Sequence, residues 1–343
     1  MMVRFFGMIL FMCVTSVSAQ TLGGNAVFSY LLQPNAAKLS SLGGVNISSI
    51  GNDLGMAYNN PALLRDDMHQ QISTSFYSFA EGVQQLGFVN AYHHQKSNTN
   101  IALGVQYLSY GSITQTDPSG NILGVFKPAD YNIQFMLSHV YKSNWWVGLT
   151  TKYINSSYGQ YHATGLAFDW GIAYLNSNKL LQVSFLAKNM GTQLSTYVPA
   201  APKEELPFDL QLGITKKLEN APFQFSLTAH HLQQFNILYN DPIFNNLEGD
   251  TRFNQKNTAQ KIFTHLVFSS ELILSDQLQI NTGLNLMRRQ SLNAYNMTNG
   301  LNGFTLGFGL HLNKLHIQYA TGFYQQNLFH QFSLNFNLKG SKL

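Results

Sequence analysis

The chain has 343 residues, of which only 10% are charged, and its formal net charge is +4. An ordinary soluble domain carries about 25% charged residues, and a helical membrane protein needs runs of about 18 apolar residues, which the interior of this chain lacks. The mild charge, with no basic run, gives no support for nucleic-acid binding; 13% aromatics with many Asn, Gln, Ser and Gly suit a barrel with one face in lipid and one face wet.

Residues 1–19 read as a signal peptide. Arg4 supplies the positive start, Phe5 to Val14 the apolar run, and Val17-Ser18-Ala19 a small-residue cleavage site that leaves Gln20 first. The run is too short for a membrane anchor. The only cysteine, Cys13, lies inside it and follows Phe11-Met12, unlike a lipoprotein attachment site. The mature chain is therefore expected to have no disulfide, no thiol nucleophile and no sulfur metal ligand.

Residues 20–69 alternate poorly and are rich in turn residues, including Gly43-Gly44 and Asn59-Asn60-Pro61. A barrel of fourteen strands has a lumen wider than its own side chains can fill. This segment is therefore expected to be a plug folded into the lumen; the alternative is a periplasmic extension.

Residues 70–343 are expected to form the barrel: all-β, transmembrane and antiparallel, with about fourteen strands. The strand segments fall near 70–79, 84–95, 99–110, 130–142, 145–155, 162–175, 179–190, 206–217, 222–232, 261–274, 277–288, 302–312, 314–324 and 328–338. Side chains two apart share a face. Tyr131, Ile133, Phe135 and Leu137 thus form a lipid face against Asn132 and Gln134. Leu166, Phe168, Trp170, Ile172 and Tyr174 oppose Ala167, Asp169, Gly171 and Ala173, and Asp169 is acceptable only on a wet or paired face.

Short and long connections fall on opposite ends. Ser143-Asn144, Asn176-Ser177-Asn178 and Ser275-Asp276 are tight, whereas 111–129, 191–205, 233–260 and 289–301 are long. Outer-membrane barrels sort their loops this way, with the long ones outside. Trp145, Trp146, Tyr174, Tyr141 and Tyr92 near the tight turns, and Tyr107, Tyr110, Tyr153 and Phe323 near the other ends, are expected to form two interfacial belts.

The chemistry of catalysis is missing. There is no Gly-x-Ser-x-Gly elbow, no phosphate loop and no HExxH helix. Nothing in the spacing suggests the Ser/His/Asp cluster of a surface hydrolase. His93-His94 and His230-His231 are adjacent on expected strands, so each pair should point to opposite faces and share no metal. Glu204-Glu205, Asp241, Glu248 and Asp250 read as solvated loop charge. No catalytic, cofactor-binding or metal-binding residue is expected. The long loop at 233–260 carries Phe235, Ile237, Tyr239, Ile243 and Phe244. Apolar groups on a loop need a cover, whether a protein partner, another loop or the plug, and these five are the candidate partner contacts. Asp117-Pro118-Ser119-Gly120 in the loop 111–129 reads as a turn.

The Leu-Gly-Gly step ending at Gly43 and Gly44, followed by Asn60-Pro61-Ala62, resembles the FadL-type transporters and the related PorV proteins. A closer resemblance, to the PorQ family of the Bacteroidetes type IX secretion system, runs through most of the mature chain. Phe28-Ser29-Tyr30-Leu31, Gly104-Val105-Gln106-Tyr107, Leu206-Pro207-Phe208-Asp209-Leu210-Gln211-Leu212-Gly213, Ala221-Pro222-Phe223, His230 and Leu232-Gln233 carry it. The PorQ resemblance implies a non-enzymatic outer-membrane component of the attachment complex. Such a protein holds PorZ at the surface alongside PorV and the sortase PorU, and the chemistry belongs to PorU. The FadL-type resemblance implies the rival reading, transport of a hydrophobic compound, which needs an apolar path and a break in a strand beside the plug.

Overall fold

The computed structural model describes residues 26–79, 82–237, 258–292, 299–324 and 327–338. The expected signal peptide lies outside them, as do Tyr239, Asp241, Ile243, Phe244, Glu248 and Asp250. Among the described residues there are sixteen strands: β1 (Gln71–Ser78), β2 (Gln84–His94), β3 (Thr99–Ser109), β4 (Ile113–Thr116), β5 (Ile122–Phe126), β6 (Ala129–Lys142), β7 (Trp145–Tyr158), β8 (Tyr161–Leu175), β9 (Leu181–Ser195), β10 (Asp209–Lys217), β11 (Phe223–Ala229), β12 (Leu266–Ile273), β13 (Leu278–Asn285), β14 (Phe304–His311), β15 (Leu315–Tyr324) and β16 (Asn327–Asn337). Fourteen of them close into one antiparallel barrel, with β1 paired to β16 from Gln71↔Asn337 to Ser78↔His330. β4 and β5 form a separate two-stranded sheet.

The alternation read from the sequence decides which face meets lipid. Ile133 and Phe135 of β6 are exposed while Asn132, Gln134 and Ser138 are buried, and the same rule places Phe304, Leu306 and Phe308 of β14 outside and Thr305 inside. Leu103 is 52% exposed and Gln106, on the opposite face of β3, 3%. Apolar residues outside and polar residues inside is the reverse of a soluble core and is the arrangement of a barrel solvated by lipid. Closure leaves no edge in the fourteen-strand sheet, so every strand finds two neighbours.

One end of the barrel is made of tight turns at 95–98, 143–144, 176–180, 218–222, 274–277 and 312–314. The other carries the long connections 110–128, 196–208, 230–265 and 286–303, and also the short ones 79–83, 159–160 and 325–326. Four expectations need correction there. The loop 111–129 is a twisted hairpin, β4–β5, in which Ile113 pairs with Phe126 and Thr114 with Val125. Asp117 makes its tip, accepting from Ser119 N and Asn121 N at 2.9 Å each, as the turn reading expects. β9 runs on to Ser195. Short helices at Thr258–Thr264 and Leu286–Leu292 replace ends that the sequence gives to strands.

Two aromatics leave the expected belts. Trp146 lies under the Arg65 guanidinium, 4.0 Å from it, and Tyr110 donates to Asp130 at 2.6 Å, so both serve the interior. Trp145 and Trp146 are adjacent in β7, so alternation allows only one of them to face lipid; Trp145 does, against Tyr174 at 5.0 Å.

Candidate functional site

The barrel interior is occupied by residues 26–70 of the chain itself. They begin at the long-connection end, where Val27 N donates to Glu205 O at 3.0 Å, and finish at the tight-turn end, where Gln70 pairs its backbone with Ala91 and Leu338. Between lie short helices at Ala37–Ser41 and Leu54–Asn59 and single 3-10 turns at Ser29–Leu32 and Pro61–Leu63. Such elements are too short to be stable alone; here the wall buries most of their side chains, with Leu39, Leu42, Leu54, Ala57, Leu63 and Leu64 in one core.

The wall is cut to receive them. A side chain added to Gly148 of β7 would meet the Pro61 carbonyl carbon at 2.4 Å, one added to Gly171 of β8 would meet Asn60 Oδ1 at 2.4 Å, and one added to Gly283 of β13 would meet Gly43 N at 2.2 Å. Gly104, Gly165 and Gly213 give the same close approach to Tyr58, Phe28 and Ile47. Of the four residues singled out in the plug, Gly43, Asn60 and Pro61 sit at these seats, and Gly44 lies against the Arg288 side chain. Asn60 caps the turn at Pro61 by accepting from Ala62 N at 3.1 Å, and it donates to Ile47 O at 2.8 Å. Gly43 and Gly44 take φ of +89° and +81° after the helix Ala37–Ser41, and Gly44 N closes the helix by donating to Leu39 O at 2.9 Å.

Charged ties hold the segment at its tight-turn half. Lys38 Nζ lies 2.8 Å from Glu271 Oε2, and both are buried. Burial alone would lower the Lys38 ammonium, but the Glu271 and Asp53 carboxylates outweigh it and hold the group above its ordinary value. Asp53 accepts from Gln318 at 2.6 Å and Asn335 at 3.0 Å, and Arg65 donates to Gln182 at 2.7 Å. The wall is irregular between β8 and β9, where the register shifts at Thr164/Gly165 and again at Phe168/Trp170. In β9 two residues, Lys188 and Asn189, face Asp169 alone, and Asn189 takes φ +58°. The bulge is filled by a polar network: Lys152 Nζ reaches Asp169 Oδ2 at 2.6 Å, Asn189 N donates to Asp169 Oδ1 at 2.8 Å, and Lys188 donates to Asn59 Oδ1 at 2.5 Å. Asp169 thus has the partner that its inward position requires.

The long-connection half is looser. A cavity of about 530 Å³ opens at the mouth, lined by Val27, Phe28, Tyr30, Tyr110, Tyr158 and Tyr197 among others. Tyr110 and Tyr158 converge on Asp130, at 2.6 and 3.2 Å. Burial first, then the Asp130 carboxylate, pushes the Tyr110 phenol far up, so it stays a donor. A second cavity, of about 240 Å³, lies deeper and is lined by Lys188, Asp209, His230, His231 and Arg288. Tyr30 lies in one of the stretches that carry the family resemblance, whereas Tyr158 and Tyr197 are marked by no motif.

The histidine pairs divide. His93 and His94 diverge as expected, toward Asn100 and Ser97. His230 and His231 do not, because β11 ends at Ala229 and His231 takes φ +54°; their Nδ1 atoms lie 2.6 Å apart. Burial, with His231, His265 and Arg288 nearby, pushes His230 down to about 3. Of the candidate partner contacts, Phe235 is exposed and Ile237 half-buried. Glu204 lines the mouth, and Glu205 holds the start of the inner segment through its carbonyl.

No protein-family model matches the chain, and no curated protein matches it. Solved structures do. The chain is similar to the TodX deltaS2S3 mutant monoaromatic hydrocarbon channel, with a TM-score of 0.50 and 11% identity, over 90% of this chain and 100% of that one. It is similar to the TodX deltaS2 mutant channel to the same degree, TM-score 0.50 and 11% identity, over 89% and 97%. At this identity the likeness is one of fold: a closed barrel of the outer-membrane type.

Proposed function

We propose that this protein is a non-enzymatic outer-membrane anchor that holds a protein partner over its long-connection end, with that end facing outside. The hairpin β4–β5 carries this reading. Ile122, Leu123 and Val125 are 73%, 62% and 63% exposed, Ile113 is exposed as well, and no other described strand pairs with either edge. An uncovered apolar hairpin with two free edges is a template for another chain. Phe235 and Val198 add exposed apolar surface at the same end. A plugged lumen suits an anchor, because nothing has to pass through it. With the PorQ resemblance, the partner is PorZ, in an attachment complex with PorU and PorV.

Uptake of an apolar compound is the second reading. The bulge in β9 and the mouth cavity favour it, together with the fold shared with hydrocarbon channels. It ranks below anchoring because the bulge is filled by Lys152, Asp169, Lys188 and Asn189, which is no path for an apolar molecule. A pull-down from membranes in mild detergent separates the two. Recovery of PorZ or its complex supports anchoring; recovery of a bound apolar compound with no protein partner rejects it.

A further inference from the structure

We infer that Asp209, His230 and His231 form a binding site for one divalent transition metal of the zinc class, at the base of the long connection 230–265. Their ligand atoms all lie within 4.8 Å of one another. The backbone creates this placement. Asp209 opens β10, and its Oδ1 accepts from His231 N at 2.6 Å while Oδ2 accepts from Gln211 Nε2 at 2.7 Å. The left-handed turn at His231 swings its ring beside that of His230, with His231 Nδ1 3.7 Å from Asp209 Oδ1. His265 Nδ1 lies 2.8 Å from the His230 carbonyl and fixes the backbone behind the ring.

The contact between the two buried-side imidazole nitrogens of His230 and His231 is what points to a ligand. His230 is fully buried, and its Nε2 has no hydrogen-bond partner. Its Nδ1 has only the neighbouring His231 ring at 2.6 Å, where a single proton must be shared between two nitrogens. Buried polar groups with so little around them are rare and need an explanation. Two imidazoles and one carboxylate are the ligand set that zinc takes with a fourth position open. Two nitrogens on one tetrahedral zinc, at ~2.0–2.1 Å each, stand roughly 3.3 Å apart. The metal would therefore replace the shared proton and part the rings slightly, with His231, the less buried of the two, free to give. The fourth position opens on the 240 Å³ cavity. Lys188 and Arg288 line the same cavity and oppose a cation, and Asp209 sets one negative charge against them.

The site would tie β10 to the residues that follow β11, and so fix where the connection bearing Phe235 leaves the barrel. It does not depend on the anchoring reading. The test uses the full-length mature protein in detergent, without a histidine tag, stripped by chelation and titrated with Co²⁺. One equivalent should bind with the visible absorption of a tetrahedral nitrogen–oxygen site, and Zn²⁺ should displace it. His231→Gln should weaken binding at least about tenfold, as losses around metal ligands do, while His316→Gln, in the distant His311–His316 stack, should leave it unchanged. Asp209→Asn is the second variant, and the unheated gel mobility of the folded barrel identifies any variant that fails to assemble. No stoichiometric binding by the wild-type protein, or binding indifferent to both His231→Gln and Asp209→Asn in folded barrels, overturns the inference.

Discussion

The two halves of the lumen are built differently. At the tight-turn half, Gly148 and Gly171 let the inner segment touch the wall, and Lys38–Glu271, Asp53 and Arg65 tie it down. At the long-connection half there are cavities of about 240 and 530 Å³, a ring of tyrosines, a histidine cluster and an uncovered hairpin. A buried ion pair contributes little net stability but is very costly to break by removing one partner. The closed half is therefore specified for position, and the open half is left with surface and space for other molecules.

The largest effect should come from Lys38→Met. It leaves Glu271 buried without its cation, a loss of about 3–5 kcal/mol, visible as a lower melting temperature of the detergent-solubilised barrel. Adding Glu271→Gln should restore most of that loss, and failure to do so would mean that the pair does not hold the segment. The same contact has a pH signature. Because the folded ammonium lies above its ordinary value of 10.5, its contribution is whole below that pH and is lost as the pH climbs through the folded value. Bilayer conductance should stay absent up to pH 10.5 and appear only above it; conductance that opens near neutral pH would contradict the tie.

Gly148→Val comes next. Its side chain would meet Pro61 and Ala62 backbone, and overpacking of this kind costs about 1–3 kcal/mol. Gly124→Val, in the uncovered hairpin where an added Cβ has no neighbour, should leave the melting temperature alone. At the mouth, Tyr110→Phe removes one of three hydroxyl partners of Asp130, worth about 1.5–3 kcal/mol for a bond to a charged group. Solvent in the open cavity replaces part of it, so the measured shift should fall at or below the low end of that range.

The sequence makes the barrel legible because the rule that builds it is local. Alternation at Tyr131–Leu137 or Phe304–His311 states each strand and its lipid face without knowledge of any neighbour. Closure into fourteen strands and the sorting of connections follow from the same count. What escaped is non-local or depends on a single dihedral. The convergence of Asp209 with His230 and His231 needs β11 to stop one residue before the pair and His231 to turn left-handed. The inward turn of Trp146 depends on Arg65, which is distant in sequence and reaches it only in the folded barrel. The hairpin β4–β5 was hidden by a turn motif strong enough to explain the loop by itself. Alternation puts a wall glycine such as Gly171 on the inner face, but what it receives there, Asn60, is set by a contact far away in sequence.

The central claim, that the open end holds a protein partner while the inner segment keeps the lumen closed, is tested most directly on the hairpin. Replacing Ile122, Leu123 and Val125 together with Ser changes exposed residues only, so the barrel's stability should move by no more than about 0.5 kcal/mol per site. In cells carrying that variant, surface retention of PorZ is measured against its release into the medium. The account predicts an assembled, non-conducting barrel with PorZ released. PorZ retained on the surface at the wild-type level would contradict it.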